Sequence, residues 1–192
     1  FTQTKLSCFV TLASDLNLSN DTVSTFIVAC SPLSGTHLVG ATAPNFKTLA
    51  QAANALQNCG INGPVNLKIL PGTYVEKVWF ENIPGLMDTA NYITVGSLSG
   101  DRNSVILTAN TTMPNSIPVV IGMNEMTRFT LENVTVENNM QGETGGIYIT
   151  GASSKIKIQN CKVVSNNPLG YGIIAGVDNG STSYDVSFHN NI

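Results

Sequence analysis

Phe129-Thr-Leu-Glu-Asn133-Val-Thr-Val136 alternates apolar and polar residues around an asparagine. The pattern returns as Lys157-Ile-Gln-Asn160-Cys-Lys-Val163 and as Val186-Ser-Phe-His-Asn190-Asn-Ile192. Asn133 to Asn160 is 27 residues, Asn160 to Asn190 is 30, and Ile147 to Ile173 is 26, while Gly122, Gly151 and Gly176 keep a similar interval. Alternation with period two marks strands. The interval is coil-sized rather than hairpin-sized and carries no helical period, so the strands stack as successive turns of a parallel β-helix. Asparagines at one turn of each coil can bond to each other's amides along the axis, which makes Asn133, Asn160 and Asn190 candidates for a structural ladder.

Working outward from these repeats, further short strands precede them at Val65-Asn-Leu-Lys-Ile-Leu70, Tyr74-Val-Glu-Lys-Val-Trp-Phe80, Tyr92-Ile-Thr-Val-Gly96, Val105-Ile-Leu-Thr108 and Val119-Val-Ile-Gly122. A doubly wound fold would need helices between them, and none is readable. The one helix lies upstream, over Phe46-Lys-Thr-Leu-Ala-Gln-Ala-Ala-Asn-Ala-Leu-Gln-Asn58, with Phe46, Leu49, Ala53 and Leu56 on one face, Asn45 as N-cap and Gly60 as stop. Placed there, it would cover the open end of the first coil. Residues 1–31 read as two strands joined by a turn-rich loop, residues 32–60 as linker and capping helix, and residues 61–192 as β-helix coils. The last coil breaks off in mid-repeat at Asn190-Asn-Ile192, which favours a fragment and leaves an edge through which chains could self-associate into fibres.

The 192 residues include 22 asparagines, more than all 21 charged side chains, and the net charge is −3. Polarity carried by amides and hydroxyls fits a secreted or cell-surface β protein. The acidic balance excludes the basic footprint of a nucleic-acid binder, and no apolar run reaches the ~20 residues of a membrane-spanning helix. The chain opens without the basic and apolar regions of a signal peptide. Four cysteines permit three full pairings. Cys8 and Cys30 lie on the two N-terminal strands, where a hairpin would join them in a disulfide; the alternative is two buried thiols. Cys59 and Cys161 are expected as separate, buried, free cysteines, and no Cys-x-x-Cys spacing points to zinc.

The order of the helix, then Gly63-Pro-Val-Asn-Leu-Lys-Ile-Leu-Pro-Gly-Thr-Tyr74-Val-Glu76, then Ile93-Thr-Val95 and Gly100-Asp101, resembles the start of right-handed parallel β-helix proteins of the pectin lyase-like superfamily. A closer likeness is to β-helix segments of large secreted or surface proteins of the Bacteroidetes, in which Pro32-Leu-Ser-Gly-Thr36 would introduce the domain. In such proteins Asp15-Leu-Asn17-Leu-Ser-Asn20-Asp21 resembles the end of an immunoglobulin-like module. The resemblance therefore implies an all-β chain: a right-handed β-helix with an N-terminal capping helix, preceded by a two-stranded immunoglobulin-like tail. It also implies O-glycosylation of Thr22 and Thr89, in Asp21-Thr-Val23 and Asp88-Thr-Ala90.

The superfamily's activities are weakly represented. Gly72-Thr-Tyr74-Val-Glu76 matches the start of pectin methylesterases, but Gln141-Gly-Glu-Thr144 is a poor stand-in for the glutamine segment, and the aspartate and arginine stretches are absent. A lyase would need a calcium-holding carboxylate cluster and a base near the C5 proton; only Asp178 and Asp185, with Lys155, Lys157 and Lys162, approach this, and they read as turn residues. His37 and His189 have no nucleophile motif beside them. Trp79 reads as inter-coil packing with a sugar-stacking platform as the alternative, Gly145-Gly146 as a turn, and Arg102 beside Asp101 as a solvated turn. Asn17, Asn20, Asn110, Asn133 and Asn179 begin Asn-x-Ser/Thr sequons, which matter in a eukaryotic secretory path. The expectation is a non-catalytic module, without cofactor, of a large multidomain surface or secreted protein, serving adhesion, contact with polysaccharide or surface glycan, or a structural stalk. A carbohydrate-active enzyme with its catalytic coils beyond residue 192 is the alternative.

Overall fold

The computed structural model describes residues 2–9, 22–110, 118–176 and 184–192. The chain divides into two compact units, Phe1–Ser31 and Pro32–Ile192. In the first, β1 (Thr2–Phe9) and β2 (Thr22–Ala29) pair antiparallel, with Thr2 opposite Ala29 and Cys8 opposite Val23. That register rules out the disulfide expected between Cys8 and Cys30. Cys30 lies seven residues along β2 from Val23, roughly 20 Å or more away, whereas a disulfide spans less than about 7 Å between Cα atoms. Cys8 is a free, exposed thiol, and Cys30 and Cys59 are the disulfide-bonded cysteines. The expectation of a free Cys59 is corrected with it, while Cys161 is free and buried.

The second unit begins with β3 (Leu33–Val39) and the helix α1 (Leu49–Cys59). The coils follow. β4 (Ile61–Ile69), β5 (Gly72–Val75) and β6 (Val78–Glu81) form one turn, and β7 (Ile93–Ser97), β8 (Val105–Ala109) and β9 (Val119–Asn124) the next. β10 (Thr127–Glu132), β11 (Thr135–Asn138) and β12 (Gly145–Thr150) form the third, then β13 (Ser154–Gln159), β14 (Lys162–Ser165) and β15 (Tyr171–Ala175) the fourth, before β16 (Tyr184–His189). Three all-parallel sheets result, one of six strands (β3-β4-β7-β10-β13-β16) and two of four (β5-β8-β11-β14 and β6-β9-β12-β15). This is a right-handed parallel β-helix of about five turns.

The alternation seen in the sequence fills its interior. Val65, Ile93, Phe129 and Ile156 stack in one buried column and Leu67, Val95, Leu131 and Ile158 in the next. Phe80 from the third sheet meets Phe129 at a ring-centroid distance of 4.9 Å. Helix α1 buries Leu49, Ala52, Ala53 and Leu56 on this core, against β6, β3 and β4.

The helix starts three residues later than its apolar periodicity predicts. Thr48, not Asn45, is the N-cap, its hydroxyl accepting from the Gln51 N–H at 3.1 Å. Asn45 instead accepts from the Leu38 N–H at 2.8 Å, and Phe46 bridges to Val39, so the segment before the helix is held to β3. Gly60 ends the helix at φ 71°, its N–H bonded to the Leu56 carbonyl at 2.8 Å.

Non-glycine residues with left-handed backbone fall on three stacked columns. Asn82 and Glu125 form the first, which Gly151 continues; Arg128, Lys155 and Asp185 the second; Asn133, Asn160 and Asn190 the third. These are coil corners, and asparagine tolerates the conformation better than most residues. In the third column Asn160 Nδ2 donates to Asn133 Oδ1 at 2.5 Å. Asn190 repeats the conformation at φ 51°, but the coil-to-coil side-chain bonds there come from Asn191, which accepts from the Cys161 N–H and donates to the Ile158 carbonyl, both at 2.8 Å. A second ladder links Asn166 to Asn139 at 2.6 Å and Asn139 to Thr108 at 3.0 Å.

Candidate binding site

On the outer face of the β6-β9-β12-β15 sheet, Trp79, Gly122, Tyr148 and Ile174 occupy one register position in successive coils. Strand alternation turns Val78 and Phe80 inward and leaves Trp79 facing out, partly buried. A Cβ on Gly122 would sit 2.3 Å from Trp79 Cε3, so the indole lies flat over bare backbone. It reaches Tyr148 edge to face, with centroids 6.1 Å apart and planes at 80°.

Beyond Tyr148 lies an open groove of about 590 Å³, walled by Tyr148, Tyr171, Ile174 and Pro118, with Glu143 as its one charged side chain. Tyr171 is 53% exposed. The rim is braced from within: Asn138, fully buried, donates to the Thr144 hydroxyl at 2.8 Å and accepts from the Met140 N–H at 3.1 Å. Asn167 donates to the Gly142 carbonyl, tying the rims of two coils together. Gly145 and Gly146 open strand β12 rather than forming the turn their sequence implies. A Cβ on Gly146 would meet the Gly172 carbonyl oxygen at 2.7 Å, so glycine here lets the coils close up. A rigid apolar floor between two aromatic side chains, with few charges, suits the faces of neutral sugar rings.

The residues that catalysis would draw on form no complete set: Lys155, Lys157 and Asp185 meet in one groove with a single carboxylate among them, and the rest lie elsewhere. Lys155, Lys157 and Asp185 lie on the six-stranded sheet, Lys162 on β14, and Asp178 falls outside the described residues. His37 bonds through Nε2 to the Ser34 carbonyl oxygen at 3.0 Å and leans on Phe46, and His189 is exposed on β16 in register with Gln159. Arg102 lies in a turn beside exposed Asp101, as expected, but its side chain is held: it donates to the Asn190 carbonyl at 3.1 Å, and its own carbonyl accepts from Thr135 at 2.9 Å. Among the described residues no group of three or more His, Cys, Asp or Glu side chains is placed to hold a metal ion.

Glu76, which the sequence offered as part of an esterase-like motif, serves the helix. Its two carboxylate oxygens accept from the Leu49 and Ala50 N–H groups, each at 2.9 Å, where a helix leaves donors unpaired and its dipole favours an anion. Tyr74 donates to the Leu70 carbonyl at 2.8 Å, and burial, then the Glu76 charge, hold its hydroxyl above the ordinary tyrosine range. Thr89 sits in an exposed turn. Thr22 opens β2, and its side chain lies outside the described residues, as do Asn17, Asn20 and Asn179.

The larger unit is thus a parallel β-solenoid with an aromatic groove on one outer face. No protein-family model, no curated protein and no solved structure matches the chain.

Proposed function

We propose that the chain is a non-catalytic β-helix module of a secreted or cell-surface protein and that it contacts neutral polysaccharide in the Tyr148–Tyr171 groove. The observation that carries this is the pre-formed aromatic surface, with Trp79 laid over Gly122 against Tyr148 and Tyr171 projecting beyond it. The disulfide-bonded Cys30 and Cys59 support an oxidising compartment. A pectin lyase-like ancestry and a Bacteroidetes-type surface protein belong to the same proposal, supported by the order of helix, strand and Gly72-Thr-Tyr74-Val-Glu76. Use of Glu76 as a helix anchor favours the architectural over the esterase side of that likeness. Thr89, exposed in its turn, is the O-glycosylation site we favour; an intact mass equal to the bare chain removes it.

Affinity electrophoresis in a panel of neutral polysaccharides tests the groove. Retention by at least one polymer, weakened about two- to tenfold in Tyr171→Ala, is the expected result, since one aromatic contact contributes roughly 0.5–1.5 kcal/mol. Retention unchanged by Tyr171→Ala, or none with any neutral polymer, refutes the assignment. Appearance of unsaturated or de-esterified product would replace it with the enzyme alternative.

A further inference from the structure

We propose that the outer face of the six-stranded sheet carries a second site, for a sulfated saccharide chain, distinct in place and chemistry from the aromatic groove. Two adjacent outward columns define it. Thr94, Thr130, Lys157 and Ser187 share one register position on consecutive coils, and Tyr92, Arg128, Lys155 and Asp185 share the one two residues earlier. Between them runs an open groove of about 490 Å³ that all eight line. Each step along it is one strand spacing, roughly 4.8 Å, so the groove presents hydroxyls and cations in a row along the solenoid axis.

The local charge opposes that of the whole chain. Three cations face one carboxylate here, whereas the protein carries a net charge of −3. Arg128 is not available as a ligand-binding fork, because it donates to the Asn91 and Asp88 carbonyls, both at 2.8 Å, and to that of Leu86. Those acceptors are neutral, so its positive charge still acts on the groove. Lys155 and Lys157 are exposed and supply the contacts.

Backbone strain points the same way. Arg128, Lys155 and Asp185 hold φ of 51°, 54° and 57°, a conformation that the neighbouring corner gives to asparagine. Long charged side chains occupy it at a cost, and strained positions concentrate where a side chain has a task. The cation type selects the anion. The arginine fork matches planar carboxylates and tetrahedral oxyanions bidentately, whereas lysine is a compact point charge that responds to charge density rather than shape. The groove's only arginine is occupied, so no fork is left to take a carboxylate bidentately, and the two lysines favour a sulfated chain, which can carry more than one anionic group per sugar, over a polyuronate with one. Tyr92, 44% exposed at one end of its column, adds a ring on which a sugar can rest.

Titration of the full chain with dextran sulfate, with unsulfated dextran of the same length, and with a polyuronate lacking sulfate tests this. The expected result is binding of dextran sulfate that weakens with added salt, at least tenfold weaker binding of polyuronate, and, if dextran binds at all through the aromatic groove, dextran binding that neither salt nor Lys157→Gln alters. Lys157→Gln, at an ordinary strand position, should weaken dextran sulfate binding about tenfold, and Lys155→Gln with Lys157→Gln further, with thermal melting showing that the fold is kept. Lys162→Gln, which removes the same charge from another sheet, and Tyr171→Ala should leave it within twofold. Equal affinity for polyuronate, equal loss on Lys162→Gln, no loss on Lys157→Gln, or no binding of dextran sulfate by the unaltered chain each overturns the proposal.

Discussion

The Lys68 ammonium lies 3.1 Å from the Glu132 carboxylate although the two residues sit two coils apart, because the coil between them presents only the bare backbone of Gly96. A Cβ at Gly96 would fall 2.6 Å from Glu132 Cγ and 2.8 Å from the Glu132 carbonyl oxygen. Gly96→Ala is therefore expected to destabilise the chain by about 1–3 kcal/mol through overpacking. Lys68→Gln should cost less, on the order of 0–1 kcal/mol, since the pair is partly solvated and Gln159 also bonds to Glu132 at 2.8 Å. Urea denaturation of the two variants separates the effects; an equal loss would show that the glycine matters only through the ion pair.

Glu76→Ala removes the acceptor of two helix N-terminal N–H groups that lie 26 and 27 residues away in sequence. A loss of about 1–3 kcal/mol in urea unfolding is expected. Unchanged stability would mean that water replaces the carboxylate without penalty.

What the sequence made legible follows from the repetition itself. Because coils stack in register, the apolar alternation at Phe129–Leu131 and Ile156–Ile158 and the asparagine corners at 133 and 160 show in the spacing alone. Partners across coils of unequal length do not. From Ile93 to Phe129 is 36 residues and from Phe129 to Ile156 only 27, so nothing in the spacing says that Trp79 covers Gly122 or that Lys68 reaches Glu132. The helix cap differs for a related reason: locally Asn45 is the better cap, and its bond to the Leu38 N–H, a tertiary contact, leaves the role to Thr48. The disulfide escaped because the chemistry of cysteine is indifferent to sequence distance, whereas the hairpin register is not.

Trp79 is the only tryptophan, so its seat over Gly122 can be watched directly. Gly122→Ala places a methyl group within 2.3 Å of the indole and must lift the ring from Tyr148. The expected outcome is a red-shifted tryptophan emission and a loss of about 1–3 kcal/mol in stability, together with weaker retention by neutral polysaccharide. An unchanged emission spectrum would refute the seat.

Peptide mapping without reduction checks the cysteine assignment. Cys30 and Cys59 are expected to resist alkylation until reduced, with two titratable thiols per denatured chain, and alkylation of the native protein should mark Cys8 alone because Cys161 is buried. A fragment linking Cys8 to Cys30 would overturn the register as well as the pairing.

Cys161 gives the molecule a defined response to alkali. Burial pushes its thiol up to about 11 from an ordinary 9.0, a shift that backbone hydrogen bonds and the Arg102 charge only partly oppose. The folded chain therefore holds this proton more tightly than the unfolded chain does. The resulting stability is fully present below pH 9 and is lost as the pH rises through about 11. At about 1.4 kcal/mol per unit the loss is on the order of 2–3 kcal/mol. Other groups titrate in the same window, so the measurement is the difference in Tm between the native chain and Cys161→Ala across pH 8–11. The gap should narrow as pH rises, since only the native chain bears a buried thiol that must ionise; a constant gap would place Cys161 in contact with solvent.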